Sequence, residues 1–104
     1  MLRGTDLLLG VRSWISAAEP NLPSPGVASE VEESPNDRDP RSIRWILESP
    51  ETMGQIIVWE DGQSEIDLAD VASGDVRSEH RHIDDQRDLD AALGAVRDWV
   101  VGIK

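Results

Sequence analysis

The sequence predicts a two-layer α+β domain: an antiparallel meander of four or five strands, covered on one face by an N-terminal and a C-terminal helix. Apolar residues recur at helical spacing at both ends of the chain, and between those ends the period drops to two. The period-two stretches are separated by short turn signals and not by crossover-length segments, which makes the sheet antiparallel. A sheet with hairpins needs a cover on one face, and the two amphipathic ends are the segments able to supply it. The 104 residues fit one domain spanning 1–104 and leave no room for a second core.

Residues 5–19 read as the first helix. Leu8, Val11, Ile15 and Ala18 recur at helical spacing, Leu7 and Trp14 widen the stripe, and Thr5 offers a hydroxyl as N-cap. Pro20 and Pro23 end it, because proline cannot continue a helix and restricts the residue before it. Residues 20–41 hold five of the six prolines with Asn21, Ser24, Gly26, Ser34 and Asn36, which is loop chemistry. One short strand fits within it at Val27–Glu33, with Val27 and Val31 on one face, and Ser34–Arg41 reads as an exposed, mobile loop.

Residues 42–83 read as antiparallel strands. Ile43, Trp45 and Leu47 alternate with Arg44, Ile46 and Glu48, so one face is buried. Pro50 to Gly54 turns the chain into Gln55–Glu60, and Asp61-Gly62 signals a hairpin into Gln63–Val71. Ser73-Gly74 makes the next turn, and Val76–Ile83 returns. Residues 84–103 form the second helix, with Leu89, Leu93, Val96, Val100 and Ile103 in one stripe flanked by Ala92 and Trp99. Asp84 or Asp85 can cap it. Gly94 in mid-helix costs about 1 kcal/mol, which predicts close packing there.

The sheet face away from the helices is open to water or to a partner, and register decides what it carries. A two-residue turn at Asp61-Gly62 pairs Ile57 with Ile66 and sends Ile57, Trp59, Ile66 and Leu68 to the helices. A three-residue loop with a glycine bulge pairs Val58 with Ser64 and Ile56 with Ile66. Ile57 and Trp59 then share the open face with Glu65 and Asp67. A one-residue slip reverses every side chain, so the two are exclusive.

Composition excludes several functions. The net charge is -11, and the single lysine is the last residue, which argues against phosphate neutralisation and hence against nucleic acid. Without cysteine there is no disulfide framework, thiolate nucleophile or thiolate metal site. Leu7-Leu8-Leu9 is too short for a secretory h-region and nothing approaches a membrane span, so no membrane partner and a cytoplasmic location are expected. His80 and His82 project to one face of a strand, a spacing used in some metal sites, but a catalytic site needs a third ligand and no other histidine exists. There is no Gly-rich phosphate loop and no Gly-x-Ser-x-Gly, so neither an enzyme nor a cofactor is expected. What remains is a strongly acidic protein whose carboxylates either keep it soluble or steer it to a basic partner.

The stretch Gly54-Gln55-Ile56-Ile57-Val58-Trp59-Glu60, then Gly62, Glu65-Ile66-Asp67-Leu68, Asp70-Val71 and Ser73-Gly74, resembles the TriTu family of immunity proteins. The resemblance continues through Ser78-Glu79-His80 to Asp88-Leu89-Asp90-Ala91 and covers roughly residues 42–100, while the Pro20–Pro40 segment has no counterpart in it. It implies a cognate antidote: a non-enzymatic protein that binds a bacterial ADP-ribosyltransferase toxin directed at EF-Tu and occludes its active cleft. The contact residues it implies are Trp59, Glu60, Glu65, Asp67, Glu79 and His80. An acidic adaptor or chaperone that holds a basic protein without inhibiting it is the alternative from composition.

Overall fold

The computed structural model describes residues 4–23, 26–35 and 40–102. Helix α1 spans Gly4–Ala18 and runs into a 3-10 turn at Glu19–Asn21; strands β1 (Ala28–Glu33), β2 (Ser42–Glu48), β3 (Thr52–Trp59), β4 (Gln63–Asp70) and β5 (Val76–His82) follow, and helix α2 spans Gln86–Val101. The strands form one sheet in the order β1-β2-β3-β4-β5, every neighbouring pair antiparallel. This is the expected α+β meander with five strands, and both helices pack on the same sheet face. No helix among the described residues is long and apolar enough to cross a membrane.

The core between the layers takes its residues from the stripes that periodicity marks. Leu7, Val11 and Ile15 of α1 meet Leu89, Leu93, Val96 and Val100 of α2 over Ile43, Trp45, Leu47, Ile56, Val58 and Ile66 of the sheet. Trp45 is fully buried, and its indole Nε1 donates to Ser29 Oγ at 2.9 Å while the Trp14 ring meets it edge-on, 5.7 Å between centroids. Trp99 donates to the Ala69 carbonyl at 3.0 Å and so ties α2 to β4. The buried hydroxyl of Ser64 is satisfied by the Arg81 carbonyl at 2.8 Å.

Local expectations fare unevenly. Asp85 is the α2 cap: its carboxylate accepts from Asp88 N at 2.9 Å, and Asp88 answers by accepting from Asp84 N at 3.0 Å. Helix α1 already includes Thr5, so its N-cap is not Thr5, whose side chain lies outside the described residues. Part of the Ser34–Arg41 loop, residues 36–39, and Ile103 of the α2 stripe also lie outside them. Gly54 does not close a turn but sits in β3, where the ladder begins at Thr52. The close packing expected at Gly94 is found here instead. A Cβ on Gly54 would stand 3.0 Å from Val100 Cγ2 and 3.1 Å from Val96 Cγ1, whereas one on Gly94 meets only the end of Arg97 at 3.6 Å. Helix α2 therefore crosses the sheet at Gly54, and Gly94 is a helical glycine without that reason.

Candidate functional site

The open face is settled by the β3–β4 register. Val58 pairs with Ser64, Ile57 with Glu65 and Ile56 with Ile66. Gly62 adopts φ +94°, donates to the Trp59 carbonyl at 3.0 Å, and would drive a Cβ to 2.8 Å from the Ile83 carbonyl. The loop is thus the three-residue, glycine-bulged form, because a left-handed residue after the turn costs glycine nothing. Ile57 and Trp59 stand away from the helices with Glu65 and Asp67.

Three transverse rows cross this face. One reads Glu32, Arg44, Ile57, Glu65 and His80; the next reads Glu30, Ile46, Gln55, Asp67 and Ser78; the third reads Ala28, Glu48, Met53, Ala69 and Val76. Trp59 and Ser42 pair at the β2–β3 end. The face is therefore an apolar strip of Trp59, Ile57 and Ile46 interleaved with carboxylates, joined by the exposed Met53 and Val76. Beside Trp59, a hollow of about 210 Å³ is lined by Ile57, Arg44 and Glu32 among others.

Of the residues expected to make contacts, Trp59, Glu65, Asp67 and His80 are brought together here. Trp59 is half-buried and, unlike Trp14, Trp45 and Trp99, its ring makes no hydrogen bond, aromatic or cation contact among the described residues. Asp67 accepts from Ser78 Oγ at 2.6 Å and from Gln55 Nε2 at 2.8 Å, and these bonds, the first most of all, hold its carboxyl below the ordinary aspartate value. His80 lies between Gln63 and Glu65, its Nδ1 3.5 Å from Glu65 Oε1.

Glu60 and Glu79 are placed elsewhere. Glu60 closes the turn, its carboxylate accepting from Arg41 N at 3.1 Å and lying 3.6 Å from the Arg41 guanidinium. Glu79 shares the helix-side face of β5 with Arg77 and Arg81, and its hydrogen bond from Arg81 lowers its pKa. This strand is exposed on both faces along most of its length, although Arg77 lies 5.9 Å over the Trp99 ring of α2.

The other groups singled out by composition have local employment. His82 is 2.9 Å from Asp84 and directs no third ligand toward His80; among the described residues no group of three or more His, Asp or Glu could hold a metal. The acids at the start of α2 are its capping apparatus, with Asp90 accepting from Gln86 at 2.9 Å. On the opposite layer, a cleft of about 380 Å³ runs between the helices past Trp14, Ala18, Leu22 and Val101. Its one charged lining group, Arg97, lies 5.2 Å over Trp14 and bonds Asp98 at 3.0 Å. Sequence reasoning missed β1 and the outward side of β2 as parts of the face, since a strand inside a proline-rich segment gives no register until its partner is known.

A family model described as "Immunity protein TriTu" matches residues 10–99, most of the chain. The match reaches back through the proline-rich segment and into α1, further than the resemblance over residues 42–100. No curated protein and no solved structure matches the chain.

Proposed function

The chain belongs to the TriTu family of immunity proteins, and from that premise we propose that it neutralises a cognate bacterial toxin by laying its open sheet face over the toxin's active cleft. Membership in the family carries the coarse function, the binding of a toxin. The finer reading is that this toxin is an ADP-ribosyltransferase domain acting on EF-Tu, and that the immunity protein acts in the cytoplasm as a stoichiometric plug without catalysis of its own.

The observation that supports the face is Trp59. Large aromatic residues that a fold does not use, set in an apolar strip with a charged surround, are what protein interfaces use as anchors. Glu65, Asp67 and His80 lie around it as the polar rim. Glu79 points to the other face, so docking in this orientation leaves it outside the contact, while Glu60, engaged by Arg41, lies in the turn beside Trp59.

Co-expression with the toxin domain encoded beside the immunity gene tests the reading. Wild-type protein is expected to restore growth and to co-purify at a fixed ratio; failure of both sinks it. Trp59→Ala is expected to cost about 2 kcal/mol of binding, roughly thirtyfold in Kd. Its effect on thermal stability should stay below about 1 kcal/mol, because the ring is not part of the core.

A further inference from the structure

At the β1–β2 end of the open face, Ala28, Ser29, Glu30, Ile46 and Glu48 line a concavity of about 310 Å³. Ile46 and Ala28 make an apolar floor. Glu30 lies opposite Ile46 and Glu48 opposite Ala28, so the two carboxylates are diagonal neighbours across the strand pair. Like charges so placed repel one another.

Among the other carboxylates of the strands, Asp70 accepts from the Ser73 backbone N–H at 3.1 Å, and the rest have a side-chain neighbour that offsets them. Glu32 is 3.3 Å from Arg44, Glu33 is bound by Arg12, Glu65 faces His80, Asp67 takes Ser78 and Gln55, and Glu79 takes Arg81. Glu30 and Glu48 have no cation and no hydrogen-bond donor from a side chain among the described residues. The fold thus keeps two repelling acids at the rim of an apolar hollow and leaves them uncompensated.

We propose that this hollow is the seat of one basic side chain, lysine or arginine, from the toxin surface that the open face covers. The aliphatic stem of such a side chain lies on Ile46, as long cationic side chains do on apolar surface, and its charged head bridges Glu30 and Glu48. The proposal rests on the open face being the docking surface. It adds that the footprint extends from Trp59 to the β1 edge, and that charge complementarity, not apolar burial, secures that end.

The test measures Kd for the same toxin domain against three proteins: wild type, Glu30→Gln/Glu48→Gln, and Asp6→Asn/Asp90→Asn. The last removes the same charge from the helices on the opposite layer. The seat is supported if the Glu30/Glu48 variant binds about tenfold more weakly while the helix variant stays within about twofold of wild type. Equal binding by wild type and the Glu30/Glu48 variant overturns the seat and leaves the docking face standing. Equal weakening in both variants also overturns it, since net charge alone would then account for the loss. No binding by wild type overturns the face and the seat together. Self-association of the free chain that Glu30→Gln/Glu48→Gln abolishes would place a second copy there and overturn the assignment to the toxin. Thermal melting of the variant shows whether it is folded, and relief of repulsion is expected to leave its Tm at or above that of wild type.

Discussion

Asp67 shows how one residue on the proposed docking face also serves the fold. Its carboxylate accepts from Ser78 on β5 and Gln55 on β3, so it links three adjacent strands across the open face. An aspartate whose folded-state pKa lies below the unfolded value adds stability that is complete above the unfolded value and is lost as pH falls through the folded one. The stability difference between wild type and Asp67→Asn is therefore expected to be full at neutral pH and to close as the solution is acidified through the carboxylate range. Urea unfolding followed across that range reads it, and a gap constant down to strongly acidic pH would contradict the assignment. Period-two alternation makes Asp67 an open-face acid in either register. Its two donors depend on β3 and β5 as neighbours, which spacing alone does not reveal.

At the scale of elements, helix α2 and strand β3 fit together through Gly54. The side chains above it are β-branched Val96 and Val100, which are stiff about χ1 and cannot easily swing aside. Gly54→Ala is expected to destabilise by about 1–3 kcal/mol as the helix is lifted. Gly94→Ala adds a methyl that meets only a flexible arginine end, and is expected to stabilise by about 0.5–1 kcal/mol through helix propensity. Denaturant midpoints of the two variants move in opposite directions if the crossing is where the structure puts it. Both glycines were visible in the sequence, and the expectation of close packing fell on the wrong one. Helical context makes a glycine look costly, but the need for a glycine comes from the partner element that approaches it. Strand β1 belongs to the same case: its residues alternate, yet only pairing with β2 puts Glu30 and Glu32 on the open face and Val31 over Trp45.

For the whole molecule, a net charge of -11 acts beyond any single contact. Part of it is local: the aspartates before and within the first turns of α2 cap that helix. Another part lies across the open sheet, where in the docking proposed above it would draw a basic surface toward the apolar strip. Association with the toxin domain is expected to slow by several-fold to tenfold between low salt and physiological ionic strength, where the Debye length is about 8 Å, with a smaller change in dissociation rate. Stopped-flow mixing over a salt series measures both rates. An association rate indifferent to salt would remove electrostatic steering from the account.

Helical and alternating periodicity, with turn residues between them, determined that this chain forms a helix, a meander and a helix, because those patterns are local and each element carries its own apolar stripe. The same patterns determined Trp45 and the α2 stripe as core. Periodicity alone leaves the face shown by Trp59 and Ile57 between two registers that bury equally sensible residues. Only the tertiary structure decided it, through the left-handed Gly62 and the ladder that Val58 and Ser64 close. That one-residue choice moves an unused tryptophan from the core to the surface, among carboxylates that strands distant in sequence bring alongside it.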